Sequence, residues 1–244
     1  MDIILPLYNS EYLASKVVST VFAYLNEHEN DRAFFVDDGS SDKTVEIVEN
    51  LIKDDCRVSL IVQPYNQGKG AAIHRGTTAC TSEYLCFIDG DLAYSLDHLD
   101  ELRNKLKTFD VVIGSRYLTK KSQQNITPLR RIMGATFNLY VRTMLRLPFR
   151  DTQAGLKGFK KNVAQDLFAK QRLQRFAFDA ELLYLARSNG YSITEILATV
   201  SDEHSYHDSS VRLLKDPMKM FWSVLRIRFN KLVGRYGSAH ITKL

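Results

Sequence analysis

Short apolar runs alternate with segments of helical periodicity through the first part of the chain, and this alternation constrains the fold more than any other feature. Because the runs are apolar at consecutive positions, they predict strands that are buried on both faces of a sheet. Helical patterns near residues 11–27, 42–54, 69–80 and 96–107 separate them, which predicts an α/β fold with a mostly parallel sheet, right-handed crossovers and flanking helices. The predicted strands are Ile3–Leu7, Ala33–Val36, Val58–Val62, Tyr84–Ile88 and Val111–Ile113.

Length and cysteine content narrow the class of protein. The chain has 244 residues, 45% of them hydrophobic and 25% charged, which is typical of a folded globular protein. Its three cysteines form no Cys-x-x-Cys pair, which favours a reducing compartment over a disulfide framework or a zinc site. No apolar run approaches the roughly 18–20 residues that cross a bilayer. The N-terminus reads as a strand and not as a signal peptide. We therefore expect a cytoplasmic protein, or one on the cytoplasmic face of a membrane.

Basic residues are concentrated in two segments. Between Asp110 and Asp151 there are eight Lys or Arg residues and no acid, and from Met218 to the end there are six and again no acid. The remainder of the chain then holds 19 basic against 28 acidic residues. Such polarity indicates an anionic partner for the two basic segments, although a solvated basic face would look the same. Nucleic acid, an anionic membrane surface and a phosphorylated substrate all remain open at this point.

Both basic segments have the pattern of amphipathic helices. Residues 128–147 predict a long helix that begins near Pro128 and carries a polar stripe of Arg131, Asn138, Arg142 and Arg146. A second basic helix is predicted after Pro217. Such helices suit the interfacial plane of a membrane, but the pattern equally fits helices packed on the domain with their arginines in water. We predict one domain over residues 1–215 and a basic amphipathic appendage over 216–244.

Two of the predicted strands end in carboxylates. Ala33–Val36 is followed by Asp37 and Asp38, and Tyr84–Ile88 is followed by Asp89-Gly90-Asp91. In parallel sheets, ligands bind beyond the carboxyl ends of the strands, so this negative charge lies where a ligand is expected. A divalent cation such as Mg²⁺ or Mn²⁺ is the simplest compensation, because it takes one or two carboxylates together with substrate phosphates.

A glycine-rich segment follows the third predicted strand. Asn66-Gln67-Gly68-Lys69-Gly70 opens a helix, and its glycines allow close approach of the backbone to a ligand. A helix N-terminus favours anions. The segment has neither the Walker A nor the Rossmann spacing, so by itself it is a weak indication of phosphate binding.

Eight short motifs occur in order along the chain. They are Pro6–Asn9, Asp37–Asp42, Asn66–Gly70, Asp89–Asp91, Gly114–Arg116, Arg150–Gly155, Phe178–Leu183 and Val211–Asp216. Together they resemble the family-two glycosyltransferases of the GT-A fold, and most closely the polyprenyl-phosphate (dolichyl-phosphate) glucosyl- and mannosyltransferases. The resemblance extends from residue 2 to about residue 220. It implies a Rossmann-like GT-A domain that transfers a hexose from a nucleotide sugar.

The resemblance also implies roles for individual residues. Those implied to bind the nucleotide sugar are Pro6, Tyr8, Asp37, Asp38, Lys69, Asp89, Gly90, Arg212 and Lys215. Asp89 and Asp91 would hold Mg²⁺ or Mn²⁺. Those implied to grip an acceptor phosphate are Arg116, Arg130 and Arg131. The residues expected to carry the reaction itself are Asp91, Arg116, Arg131 and Asp179.

The chain departs from the family pattern at three places. Ser10 stands where an acid often follows the asparagine, with Glu11 one residue later, and Gly90 stands where alanine is common. Ser210, directly before the Val211–Asp216 motif, stands where many relatives carry a lysine. The resemblance implies that this lysine helps to bind the donor phosphates, so that contact is missing here. Arg212 is the candidate to serve instead.

The nature of the acceptor decides which residues the mechanism needs. A phosphomonoester is already a dianion at neutral pH, since its second pKa is about 6, so it needs positioning by arginines more than deprotonation. A glycan hydroxyl would need a general base, for which Asp179 is the candidate. We expect inverting transfer of glucose from UDP-glucose, with GDP-mannose as the alternative donor, to a polyprenyl phosphate at a membrane surface.

Two further readings of the sequence remain. Transfer to a glycan hydroxyl in polysaccharide or cell-envelope assembly is the alternative enzyme, and a non-catalytic basic module is the alternative of another class. Nucleic acid is not expected as a partner, because the acids lie at strand ends and no aromatic-rich RNA-binding signature is present. A membrane-protein partner is possible, because many relatives carry C-terminal membrane spans.

Overall fold

The computed structural model describes residues 1–118, 128–199 and 215–237, without the side chains of 128–133 and 215–220. The strands are β1 Asp2–Leu7, β2 Arg32–Asp37, β3 Val58–Val62, β4 Tyr84–Ile88, β5 Val111–Ser115, β6 Leu156–Lys160 and β7 Ile193–Leu197. The helices are α1 Glu11–Glu27, α2 Thr44–Ile52, α3 Lys69–Thr77, α4 His98–Leu106, α5 Pro128–Leu145, α6 Lys161–Lys170, α7 Phe178–Ser188 and α8 Lys215–Leu232.

All seven strands form one sheet, in the order β3-β2-β1-β4-β6-β5-β7. The pairs β3–β2, β2–β1, β1–β4 and β5–β7 are parallel, whereas β6 runs antiparallel to both β4 and β5. The predicted α/β class with a mostly parallel sheet is therefore confirmed. The sequence pattern did not reveal β6 or β7, because β6 reads Leu-Lys-Gly-Phe-Lys and β7 reads Ile-Thr-Glu-Ile-Leu, so polar residues interrupt the apolar run in both.

The core lies on both faces of the sheet, as the consecutive apolar positions of the strands require. Along β1, Ile4 packs on one face with Phe87 and Phe178, while Ile3 and Leu5 pack on the other face. Helices α1 and α4 cover the second face, and helices α3, α5, α6, α7 and α8 contribute to the first. Because both faces are covered, the ends of the strands are where the sheet can meet a ligand.

Helix α8 packs against the rest of the domain. Val224 and Ile227 are fully buried in the same core as Val141 of α5. Beyond the end of the helix, the hydroxyl of Tyr236 donates to Glu181 Oε1 of α7 at 2.5 Å. The described part of the predicted appendage therefore lies on the domain, while its boundary at residue 216 stays a prediction. Among the described residues, no helix is both long enough and apolar enough to span a bilayer.

One member of the predicted polar stripe of α5 lies in a different environment. Asn138 is buried, its Nδ2 donates to the carbonyl of Arg150 at 2.6 Å, and its Oδ1 accepts from the hydroxyl of Thr152 at 2.8 Å. Asn138 therefore belongs to the polar stripe by spacing but does not face solvent, because its side chain satisfies the backbone of the turn that precedes β6. Arg142 is half-buried and Arg146 is exposed.

Asp2 joins the amino end of β1 to its neighbours at the edge opposite the carboxylate-rich strand ends. Its buried carboxylate accepts from Arg32 Nη2 at 2.8 Å and from the backbone N–H groups of Thr81 at 2.7 Å and Ser82 at 2.9 Å. Burial acts to raise the pKa of Asp2, but the hydrogen bonds from Ser82, Arg32 and Thr81 outweigh it, so the pKa is lowered.

We expect Asp2→Asn to lower the free energy of unfolding at neutral pH by about 2–3 kcal/mol, because charge-assisted hydrogen bonds are lost. The folded pKa lies below the unfolded value, so the wild-type stabilisation is present above about pH 4 and is lost as the pH falls through the folded pKa. The difference between variant and wild type should therefore shrink in acid. Urea unfolding over a pH series tests this, with the exposed Asp54→Asn as control. A difference that is constant with pH would contradict it.

Candidate functional site

The carboxyl ends of β2, β1 and β4 lie side by side, because these strands are adjacent and parallel in the sheet. The amino end of the antiparallel β6 and the carboxyl end of β5 continue the same edge. The edge therefore brings together the segments that follow β1, β2, β4 and β5. The sequence-predicted residues on it are Tyr8, Asp37, Asp38, Asp89, Asp91 and Arg116.

The turns after β1 and β2 are bonded to each other. Asn9 has a left-handed backbone with φ of 47°, which asparagine tolerates better than most residues. Its N–H donates to Ser40 Oγ at 2.8 Å, and its Oδ1 accepts from the N–H of Ser41 at 2.8 Å. The buried carboxylate of Asp37 accepts from the N–H of Ser40 at 2.8 Å. The hydrogen-bonded turns leave Tyr8 with 42% of its surface exposed at this edge of the sheet.

Asp38 organises the glycine-rich segment that follows β3. Its buried carboxylate accepts from Gln63 Nε2 at 2.8 Å, from Asn66 Nδ2 at 3.0 Å and from the N–H groups of Gln67 and Gly68, both at 2.8 Å. Burial raises the pKa of this carboxyl despite the backbone donors. The sequence implied only a ligand-binding role for Asp38. The geometry adds that Asp38 shapes the loop leading into α3.

Asp89-Gly90-Asp91 forms a tight turn directly beyond β4. A Cβ on Gly90 would lie 2.1 Å from the carbonyl oxygen of Pro6, so the departure from alanine has a local reason. Asp91 is exposed and its Oδ1 accepts from the N–H of Ala93 at 3.1 Å. Leu92 has a φ of 50°, an uncommon value for leucine and a sign of backbone strain at this turn. The turn holds Asp91 outward, at the end of the strand.

Four charged side chains of alternating sign lie at and behind this turn. They are Lys69, Asp89, Lys157 and Asp179. Lys69 Nζ pairs with Asp89 Oδ1, and Lys157 Nζ pairs with Asp179 Oδ1 at 2.7 Å. Burial alone would raise the pKa of Asp89, but the Lys69 ammonium outweighs it, with Lys157 adding to the effect, and the pKa is lowered. Burial lowers the pKa of Lys157 and raises that of Asp179.

Asp89 and Asp91 fit a divalent cation that arrives with a phosphorylated ligand. Among the residues that the structure describes, no group of three or more His, Cys, Asp or Glu side chains forms a complete metal cage. A site for Mg²⁺ or Mn²⁺ commonly uses one or two carboxylates and takes its remaining oxygens from substrate phosphates and water. Asp91 offers an exposed carboxylate for this purpose, and Asp89, which is paired with Lys69, lies two residues before it.

Arg116 is held in a defined orientation by Asp151. Its Nε donates to Asp151 Oδ2 at 2.8 Å and its Nη2 donates to Asp151 Oδ1 at 3.1 Å, while 25% of the Arg116 side chain is exposed. Asp151 is buried, and the Arg116 guanidinium outweighs the effect of burial and lowers its pKa. This bidentate pair fixes the orientation of the Arg116 guanidinium at the edge.

The residues that sequence reasoning missed are partners of the ones it named. Asp151 lies in the Arg150–Gly155 motif and Lys157 lies in β6, but their pairing with Arg116 and Asp179 joins residues far apart in the chain. A buried lysine gives no signal in a hydropathy pattern. Four predicted residues lie outside the described side chains: Arg130, Arg131, Arg212 and Lys215.

Comparisons with known proteins identify a matching family model and several similar sequences. The sequence model of glycosyl transferase family 2 matches residues 2–177. The chain is 31% identical over 248 residues to dolichyl-phosphate beta-glucosyltransferase ALG5A of Trichomonas vaginalis, covering 97% of this chain and 75% of that protein. It is 33% identical over 206 residues to ALG5C of the same organism, covering 79% of this chain and 61% of that protein. The chain thus spans about three fifths to three quarters of the lengths of these relatives.

A solved structure shares the fold. Glucosyl-3-phosphoglycerate synthase from Mycobacterium tuberculosis, in complex with Mn²⁺, UDP and glucosyl-3-phosphoglycerate, superposes with a TM-score of 0.64. The alignment covers 97% of this chain and 79% of that chain at 16% sequence identity. At this identity the likeness concerns the fold alone.

We expect Gly155→Ala to displace the Asp89 carboxylate, because a Cβ at residue 155 would lie 2.0 Å from Asp89 Oδ2. With 30% of its surface exposed, the Asp89 side chain has room to move, so folding should survive. The affinity for UDP with Mn²⁺, used as probes, should fall by about tenfold, as is usual when a group supporting a metal ligand is altered. Calorimetric titration measures it. Gly237→Ala, whose Cβ would meet nothing closer than 3.8 Å, is the control and should leave the affinity unchanged.

Proposed function

The chain belongs to glycosyl transferase family 2, and from this premise we propose that it transfers glucose from UDP-glucose to the phosphate of a dolichyl-type polyprenyl lipid at a membrane surface. The names of the relatives support glucose as the sugar and dolichyl phosphate as the acceptor. The observation that carries the proposal is the sheet edge itself. It places an outward-facing acidic turn after β4 and a buttressed arginine after β5 at the same rim.

On the donor side, the acidic turn suits a nucleoside diphosphate. Pro6, Tyr8, Asp37 and Asp38 would enclose the base and ribose, and Gly90 would allow the diphosphate to approach the turn. Asp91, with Asp89 beside it, would hold Mg²⁺ or Mn²⁺. That cation, when bound, supplies charge stabilisation for the leaving diphosphate. We propose that Lys69 supports the same developing charge, since its ammonium already lies at the turn in contact with Asp89.

On the acceptor side, the arrangement favours a phosphate over a hydroxyl nucleophile. Arg116 is always charged, and Asp151 orients its guanidinium at the sheet edge, where it can bind phosphate oxygens. Arg130 and Arg131, at the start of α5, are proposed to complete this grip. A phosphate dianion attacks C1 of the sugar through its own oxygen while the bond from C1 to the diphosphate breaks, and no proton has to be removed.

The alternative, transfer to a glycan hydroxyl, needs Asp179 as a free general base. Asp179 is 3% exposed, and its Oδ1 is engaged by Lys157. A carboxylate held in this way is poorly placed to meet an incoming hydroxyl. We therefore favour the lipid phosphate, and the glycan acceptor remains as the alternative that the experiment below addresses.

We expect Asp91→Asn to lower the rate of glucose transfer by about a hundredfold or more, because the cation that stabilises the leaving diphosphate loses its principal carboxylate. Release of UDP from UDP-glucose, with Mn²⁺ and a short polyprenyl phosphate, is the measurement. GDP-mannose replaces the donor in one arm, and polyprenol or an oligosaccharide replaces the acceptor in two others. The exposed Asp97→Asn is the matched control.

Two results would contradict the proposal. One is full activity of Asp91→Asn. The other is transfer to the oligosaccharide in the absence of lipid phosphate, with Asp179→Asn inactive and Arg131→Ala unaffected, which would establish the hydroxyl acceptor. A preference for GDP-mannose would change the donor and leave the acceptor assignment intact.

Exposed apolar side chains on α5 and α8 support placement at a membrane surface. Tyr140 of α5 stacks on Phe221 of α8 with ring centroids 4.5 Å apart. Along α8, Trp222, Phe229 and Leu232 recur at helical spacing and are 64%, 54% and 83% exposed, opposite the buried core positions of the helix. The exposed basic residues around them are Arg226, Lys231 and Arg235. Aromatic side chains with flanking positive charge suit the interface of an anionic bilayer.

Within the proposal, the protein lies on the cytoplasmic face as a peripheral protein, with or without a membrane-protein partner. Its three cysteines are unpaired, and Cys80 and Cys86 are buried, which is compatible with a reducing compartment. The membrane surface is the partner for which the described residues provide direct support.

We expect Trp222→Ala together with Phe229→Ala to reduce binding to vesicles of anionic and neutral phospholipids by at least about tenfold, because each exposed aromatic side chain contributes roughly 1–2 kcal/mol of apolar burial. Vesicle co-sedimentation measures binding, and activity on a water-soluble, short-chain acceptor should be retained. Leu51→Ala, which removes an exposed apolar side chain from α2, is the control. Unchanged sedimentation of the double variant would place the membrane contact elsewhere.

A further inference from the structure

Lys157 is a fully buried lysine with no place in the proposed chemistry. It lies on β6, between β4 and β5, and none of its surface is exposed. Taking an ammonium and a carboxylate out of water is unfavourable, and a buried ion pair is often no more stable than apolar residues of similar volume. Its presence directly behind the Asp89-Gly90-Asp91 turn therefore asks for an explanation other than stability.

The Lys157 ammonium fastens two backbone segments. Nζ donates to Asp179 Oδ1 at 2.7 Å, at the start of α7, and to the carbonyl oxygen of Ala154 at 2.6 Å. The second bond holds the peptide that links Ala154 to Gly155. Nζ also lies 5.6 Å from the ring centroid of Phe87, which pairs with Lys157 across β4 and β6. The orientation of this peptide is thus set by a side chain anchored on α7.

The Ala154–Gly155 peptide in turn backs the Asp89 carboxylate. The α-carbon of Gly155 approaches Asp89 so closely that a Cβ would lie 2.0 Å from Oδ2 and 2.3 Å from Cγ. On its other side, Asp89 meets Lys69. The Asp89 carboxylate therefore contacts both the Ala154–Gly155 peptide and the Lys69 ammonium, and Lys157 holds that peptide in position.

We propose that Lys157 is a positioning residue for the donor side of the site: by clamping the Ala154–Gly155 peptide to Asp179, it sets the position of the Asp89 carboxylate beside the diphosphate. The proposal deepens the proposed function, and only its nucleotide-binding readout rests on that function. Asp179 has a structural part in it, as the anchor of Lys157. This role of Asp179 differs from that of a general base, because loss of a general base would slow transfer without weakening the binding of the donor nucleotide.

The experiment separates positioning from stability by removing both charges together. Lys157→Met alone leaves Asp179 buried without its partner and should lower the urea midpoint. The double variant Lys157→Met/Asp179→Leu has no uncompensated charge and should regain most of that loss. Lys160→Met is the matched control. It is another lysine of β6, paired with Asp110 at 3.0 Å, at the end of the strand away from the site.

We expect the double variant to fold and to bind UDP with Mn²⁺ about tenfold or more weakly than the wild type, whereas Lys160→Met binds normally. Calorimetry gives the dissociation constants. Binding by the folded double variant within twofold of the wild type would overturn the proposal. Failure of the double variant to fold would also overturn it, because the pair would then be a folding element.

A crystal structure of the double variant supplies a readout that needs no nucleotide. The separation between Gly155 Cα and Asp89 Cγ should change relative to the wild type and stay unchanged in Lys160→Met. An unchanged separation would overturn the positioning role. If the wild type itself bound no UDP with Mn²⁺, the proposed function would fail, and this structural comparison would still decide the role of Lys157.

Discussion

The rest of the site depends on opposite charges held close together behind a sheet edge. A run of carboxylates at the end of buried strands repels itself unless cations lie among them. Lys69 and Lys157 provide those cations, one from the start of α3 and one from β6, each in contact with one carboxylate. Because the Lys69 ammonium lowers the pKa of Asp89, this carboxylate of the acidic turn can remain ionised before any substrate or metal arrives.

The antiparallel strand β6 divides this edge into two regions with different tasks. On one side, the turns after β1, β2 and β4 form a surface suited to a nucleotide and its phosphates. On the other, Arg116 is held against Asp151. The turn before β6 touches both regions, through Gly155 at the acidic turn and Asp151 at the arginine. In the proposed function, the donor and acceptor parts of the site therefore meet at one short backbone segment.

The sequence predicted the parts of this structure that local patterns specify. The first five strands and the helices between them follow from apolar periodicity, and the resemblance to glycosyltransferases is confirmed by the family match. Strand β6 was missed, because a lysine and a glycine interrupt its apolar pattern and only burial between two strands makes it a strand. The spacing placed Asn138 in a polar stripe, but periodicity does not show that its amide satisfies the turn before β6. The pairs Lys157–Asp179 and Arg116–Asp151 join positions 22 and 35 residues apart, a relation that a single sequence does not contain.

The close approach of Gly90 to the carbonyl of Pro6 couples the carboxyl ends of β1 and β4. With only 2.1 Å between that oxygen and the place of a Cβ, the spacing of β1 and β4 at this edge leaves no room for a methyl group. An alanine at residue 90 would require the two strand ends to lie farther apart. Residue 90 and the neighbours of Pro6 should accordingly covary among relatives. The spacing of the two strand ends is then a property of this pair of residues and not of either strand alone.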